Sequence, residues 1–122
     1  MDFKLELVAV PVTDVDRAKA FYAGKAGFVV DHDHRVDEGL RFVQITPPGS
    51  ACSIAIGTGL TESPPGSANL QVVVSDITAA RDELRARGLD VGDVQTFDWG
   101  SFVFFADPDG NRWAVQQLPA RR

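Results

Sequence analysis

Residues Leu5 to Val12 are apolar and β-branched, and Pro11 with the Thr13-Asp14 pair predicts that a strand stops there and a helix starts. Val15, Ala18, Phe21 and Tyr22 recur at three- and four-residue spacing, the stripe of an amphipathic helix, and Asp16 sits in the first turn, where the helix dipole favours a carboxylate. Gly24 and Gly27 weaken and end that helix. Phe28–Val30, Leu40–Thr46 and Cys52–Gly57 read as strands, the second of them stopped by Pro47-Pro48-Gly49-Ser50. Residues Thr58–Ala68, carrying Pro64-Pro65-Gly66, read as a connection rather than an element.

The second half runs in the same order. Leu70–Val74 is strand-like, Ser75 or Asp76 caps a helix whose stripe is Ile77, Ala80 and Leu84, and Gly88 stops it. Strands follow at Val91–Thr96, Phe102–Ala106 and Arg112–Leu118, with Asp107-Pro108-Asp109-Gly110-Asn111 as the tight turn before the last. The pattern is therefore an internal duplication, with Asp14 and Asp76 half a chain length apart. The expected fold is α+β: one domain over residues 1–122, built from a βαβββ module at 3–57, a linker at 58–68 and a second βαβββ module at 69–118.

Composition narrows the function classes. The chain has 122 residues, 44% of them hydrophobic and 24% charged, as soluble single domains do. A formal net charge of −5 with no basic stripe argues against nucleic acid, and the Arg121-Arg122 tail is too short to change that. Cys52 is the only cysteine, so neither an intrachain disulfide nor a cysteine-rich zinc site is available. The start of the chain lacks the pattern of a signal peptide and no apolar run approaches membrane-spanning length, so a cytoplasmic protein without membrane contacts is expected.

The Thr/Ser-Asp-hydrophobic helix openings, Ala20-Phe21-Tyr22 before Gly27-Phe28, and the late Asp-Pro-Asp-Gly-Asn turn together resemble the vicinal oxygen chelate superfamily of glyoxalases, bleomycin-resistance proteins and extradiol dioxygenases. The resemblance covers essentially the whole chain. It implies two cupped half-barrel sheets around a concave pocket, in a homodimer. In metal-using members a His or Glu points into the cup from the first and last strand of each module and holds a divalent ion that acts as a Lewis acid. Counted from the shared landmarks, those four positions are Leu7, Ala55, Asn69 and Ala114. Leucine and alanine offer no donor, and a single amide does not hold a catalytic metal, so no metal and no other cofactor is expected.

Strand alternation extends the same face. Leu7 brings Leu5 and Ala9 with it; Ala55 brings Ser53 and Gly57; Asn69 brings Gln71 and Val73; Ala114 brings Gln116. Phe42, Gln44, Phe102 and Phe104 are further candidate lining, with Trp99 as lid or rim. The result is a neutral pocket, aromatic and apolar with a few amides and a hydroxyl, and with no carboxylate. The same aromatics would equally fill a dimer core.

His32 and His34 in Asp31-His32-Asp33-His34 are the only histidines, and they read as solvated residues at the polar end of the second strand or, in the sharper reading, as a metal-binding or general-base pair. Cys52 falls on the core face, and Arg41 reads as a surface arginine with the alternative of reaching an anion. These readings favour a metal-independent protein that binds a small, largely apolar molecule and sequesters or carries it. The alternatives are an enzyme of the same superfamily (a metal-dependent lyase or dioxygenase, or a metal-free isomerase or cyclase) and a non-catalytic dimeric scaffold.

Overall fold

In the computed structural model, which describes residues 1–120, the alternating segments pair into two four-stranded sheets; Arg121 and Arg122 lie outside the described residues. The elements are β1 (Leu7–Ala9), α1 (Val15–Ala20), β2 (Val29–Asp37), β3 (Leu40–Thr46), β4 (Ser53–Thr58), β5 (Asn69–Val73), α2 (Ile77–Ala86), β6 (Gln95–Phe97), β7 (Gly100–Ala106) and β8 (Arg112–Gln117). The strand orders are β1-β4-β3-β2 and β5-β8-β7-β6, so the βαβββ unit occurs twice with one topology. In each sheet the first strand runs parallel to the last, a pairing that needs a crossover, and the helix supplies it.

Both helices start where the capping residues require. Asp14 and Asp76 are extended, and each carboxylate accepts a backbone N–H three residues on, from Arg17 and Ala79, at 3.0 Å. Helical winding in the first module continues past α1 through a wider π turn, Phe21–Lys25, in which Ala26 N–H donates to Phe21 O at 3.1 Å. Gly24 therefore lies inside the winding, and Gly27, with φ of +75°, ends it.

One face of each sheet is buried beneath the helices. Val10, Val43, Ile45, Ile54 and Ile56 of the first module and Val103, Phe105, Trp113 and Val115 of the second join Ala18, Tyr22, Ile77 and Leu84 in one core. The modules meet through rings: Tyr22 and Phe28 pack on Trp113 with centroids 5.7 and 5.3 Å away, and Trp113 stacks on Phe105 at 5.8 Å. Polar groups are buried at the same junction. The Tyr22 hydroxyl donates to Asp107 Oδ2 at 2.8 Å and accepts from Trp113 Nε1 at 3.0 Å. Asn111 Nδ2 donates both to Asp107 Oδ2 and to Pro11 O, each at 2.8 Å. Burial, and then the Asp107 carboxylate, hold the Tyr22 phenol well above its ordinary pKa, so it stays a neutral donor.

Three expectations are corrected. The second strand does not end near Val30: it runs to Asp37 and turns back at Glu38-Gly39, so the His32 and His34 segment is mid-strand. The sixth strand is only Gln95–Phe97, because Leu89 and Val91 turn into the core and Arg85 Nε occupies the Val91 carbonyl at 2.9 Å. Arg41 is no surface residue. It lies buried on the helix side of β3, forked onto Asp33 at 3.0 and 2.9 Å and bonded to Asp16 of α1 at 2.8 Å. Lys19 of α1 also reaches Asp33, at 2.8 Å. The hydrogen bonds from Arg41, and then from Lys19, hold the Asp33 carboxyl well below the usual carboxylate range.

Two stability predictions follow from these contacts. Tyr22→Phe strips Asp107 and Trp113 of a partner without changing ring volume, and urea unfolding is expected to show a loss of about 1–3 kcal/mol. Asp33→Asn is expected to cost about 1–3 kcal/mol at pH 7. Because the folded-state pKa of Asp33 is depressed, its contribution is present above the unfolded value near 4 and is lost as the pH falls through the folded value. The gap between wild type and Asp33→Asn should therefore narrow steadily from about pH 5 downwards, and a gap independent of pH would contradict the assignment.

Candidate functional site

The sheet faces opposite the helices carry the residues singled out from the sequence. In the first sheet, Leu7 pairs with Ser53 and Ala9 with Ala55; Gln44 pairs with Ala55 and Phe42 with Gly57. Leu7, Ser53, Ala55, Gln44 and Phe42 thus share one face. In the second sheet, Gln71 pairs with Ala114, which pairs with Phe104, and Gln116 pairs with Phe102. Asn69, Gln71, Ala114, Gln116, Phe102 and Phe104 share the corresponding face.

The four positions counted for metal ligands occupy equivalent registers. Leu7 lies two residues before the partner of Ala55, and Asn69 two residues before the partner of Ala114. That set offers one amide and three hydrocarbon side chains, which does not fit a divalent ion with open coordination sites. Among the described residues, no three His, Cys, Asp or Glu side chains come together in a way that could hold a metal ion.

The second face is an aromatic platform. Phe97 and Trp99 stack with centroids 5.0 Å apart and planes within 6°, and Phe102 and Phe104 stack at 5.8 Å within 5°. Phe97 meets Phe102 edge-on at 6.0 Å, joining the pairs into one surface. Phe97 was not among the sequence candidates, because the strand expected there ended at Thr96. The platform is fastened from the side: Gln71 Nε2 donates to Gln116 Oε1 at 2.5 Å, and Gln116 Nε2 donates to Trp99 O at 2.8 Å. Gly100, with φ of +144°, makes this turn possible, since a Cβ there would lie 2.6 Å from Gln117 O and 2.9 Å from the Gln116 amide. Trp99 and Phe104 remain 62% and 46% exposed, large for aromatic rings in a well-packed chain.

The first face carries a carboxylate where the sequence reading expected none. An irregularity in the β2–β3 register leaves Asp31 as an extra residue, since Val30 pairs with Ile45 and His32 with Gln44. The extra residue puts Asp31 and His32 on the same side. The Thr46 hydroxyl donates to Asp31 Oδ2, and Thr46 and Ser53 hydroxyls lie 2.6 Å apart. Gln44 Nε2 donates to Ser53 Oγ at 3.5 Å. His32 and His34 stand beside Gln44 and Phe42, their rings stacked at 5.7 Å. Arg112 shares the second face by its pairing with Asn69 and helps line a depression of about 320 Å³ with Asn69, Gln71, Phe104 and Ala114. Alternation alone locates Arg112, whereas Asp31 depends on the bulge and no pattern of residue types reveals it.

The two faces do not close on each other within the chain. Hydrogen bonds and ring contacts between the modules run on the helix side, through Thr13–Asp109, Tyr22–Asp107, Asn111–Pro11 and Tyr22–Trp113 among the described residues. Two further depressions, of about 450 and 300 Å³, lie between the modules along β5 and the Pro47–Ser50 loop, lined mostly by core-side residues such as Phe28, Leu84, Phe105, Val8 and Ile54. No helix among the described residues is long and apolar enough to cross a membrane.

Comparison with known proteins agrees with this architecture. TnmS3, an antibiotic binding protein from Streptomyces sp. CB03234, has a crystal structure that superimposes with a TM-score of 0.86 at 31% identity, over 97% of this chain and 98% of that one. A superfamily member from Sphaerobacter thermophilus superimposes with a TM-score of 0.80 at 27% identity, over 95% of this chain and 98% of its own. The uncharacterized protein YetH of Bacillus subtilis (strain 168) is 27% identical over 113 residues, 90% of this chain and 94% of its own. The family model of the glyoxalase/bleomycin resistance protein/dioxygenase superfamily matches residues 4–115, and the chain belongs to that superfamily.

Proposed function

We propose that this protein binds a small, largely apolar molecule with a flat ring system, without a metal ion, and sequesters or carries it. The observation that carries this reading is the aromatic platform in which Phe97, Trp99 and Phe104 stand exposed around the buried Phe102 ring, beside the unsuited donor set of Leu7, Ala55, Asn69 and Ala114. Stacked rings offer a large apolar surface and a preference for parallel planar partners. The Gln71–Gln116–Trp99 bonds hold the platform in place before a ligand arrives, which lowers the entropy lost on binding. The similarity to an antibiotic binding protein supports the same reading.

The site is half a site in one chain. We place the complete pocket in a homodimer, the first-module face of one protomer opposite the second-module face of its partner. The support is that both faces point away from the shared core and keep Leu7, Val73, Trp99 and Phe104 exposed. Leu7→Glu and Phe104→Glu each put a carboxylate into that seam. Sedimentation should report a mass of two chains for the wild type and a shift towards one chain for either variant. A monomeric wild type would contradict this arrangement.

Binding is tested with 2-methoxynaphthalene and 2-naphthol by calorimetry. Trp99→Ala is expected to weaken both by roughly tenfold, the loss of one stacking surface. Dialysis against EDTA should leave both affinities unchanged; loss of binding on chelation would overturn the metal-free reading. The placement of His32 and His34 on the first face favours a second reading, a metal-free enzyme that moves a proton at the bound molecule. Conversion of a bound probe into a new product, abolished in His32→Ala/His34→Ala, would select it.

A further inference from the structure

The hydrogen-bond chain on the first-module face has only one possible direction, and the direction decides what it offers a ligand. Asp31 is a carboxylate and accepts only, so the single Thr46 hydroxyl proton is committed to Asp31 Oδ2. Thr46 then meets Ser53, 2.6 Å away, with a lone pair, and the Ser53 proton must point to Thr46. Ser53 Oγ is left with lone pairs alone, so Gln44 turns its Nε2 towards it, at 3.5 Å. The other edge of that amide, Oε1, takes part in no hydrogen bond among the described residues. No buried side-chain oxygen or nitrogen there lacks a partner, so Oε1 stands open to solvent.

We infer that Gln44 Oε1 is a ligand-recognition group, set as an acceptor by the relay Gln44→Ser53→Thr46→Asp31, and that the molecule bound in the cup presents a hydroxyl or amine N–H to it. The inference rests on the binding reading above and names the polar half of the ligand that the aromatic platform leaves open. A ligand carrying only an ether or ketone at that point brings lone pairs against lone pairs. It also leaves Gln44 Oε1 desolvated without a donor, which is the costly case for a polar group. Ser53, buried at 5% exposure, holds the relay inside the sheet where water competes least.

The matched probes 2-naphthol and 2-methoxynaphthalene decide the matter, because they share the ring system and differ in the donor. Apolar burial alone favours the methoxy compound by its extra methyl group. A wild-type protein that binds 2-naphthol more tightly, by roughly five- to tenfold, therefore reports the acceptor. Thr46→Val breaks the relay in a side chain of similar shape, and Asp31→Ala removes its acceptor end. Either change frees Gln44 to turn its amide, and the Kd ratio should fall to about one or invert. General damage to packing weakens both probes together and leaves the ratio, so urea unfolding of each variant is read alongside. Equal binding of the two probes by the wild type, or a preference that survives both substitutions, overturns this inference while leaving the platform intact. If neither probe binds the wild type, the binding reading itself fails and the inference with it.

Discussion

The Asp107 carboxylate is the point on which the two modules depend. It lies buried between them, and a buried carboxylate is tolerated only when its lone pairs are met. Four donors meet them here: the Tyr22 hydroxyl and Asn111 Nδ2 at one oxygen, and the backbone N–H groups of Asp109 and Asn111 at the other. Three of these donors belong to the turn itself, and Tyr22 and Asn111 link it to the rest of the molecule. Tyr22 brings the helical segment of the first module, and Asn111 adds Pro11 through its second proton and Ala68 through its carbonyl. Asp109, from the same turn, accepts from the Thr13 hydroxyl at 2.6 Å. The Asp-Pro-Asp-Gly-Asn segment is thus a clamp across the duplication as well as a tight turn between β7 and β8.

The clamp fixes what the other faces can do. With the helices and the rings of Tyr22, Phe28, Phe105 and Trp113 locked inward, the opposite face of each sheet is directed away from the core. The first such face is a polar relay flanked by two histidines, and the second an aromatic platform bordered by amides. The two differ because the modules diverged in side chains while keeping one register. Leu7 and Asn69, or Ala55 and Ala114, stand at equivalent positions with no metal-binding chemistry between them.

Much of the fold was legible in the chain. Period-two alternation correctly assigned Val10, Ile54, Ile56, Trp113 and Val115, the alternates of the cup-facing positions, to the core side, since each strand has one buried face and a one-residue error would have exposed them all. The helix starts were legible to within one residue, at Thr13 or Asp14 and at Ser75 or Asp76, and the structure has the caps at Asp14 and Asp76. The site was legible only in part. Phe102, Phe104 and the loop residue Trp99 were candidates by aromatic type and position, but their union with Phe97 into one surface depends on a hairpin whose strand is three residues long. Arg41 was misjudged, since a buried arginine is identified by its partners Asp33 and Asp16, which arrive from β2 and α1.

The sequence by itself determined the duplicated α+β architecture, the positions of both helices and the single amide among hydrocarbon side chains at the four equivalent positions. These follow from local propensity, periodicity and counting, all of which act within a few residues. Only the tertiary structure decided that Asp31 and His32 face the same way, because a β-bulge is a property of the pairing of β2 with β3 and not of β2 alone. It also decided that the late turn is a buried clamp, because the groups satisfying Asp107 come from both halves of the chain. Long-range hydrogen bonds and strand register join residues that no local pattern connects, and here they set the polarity of the candidate site.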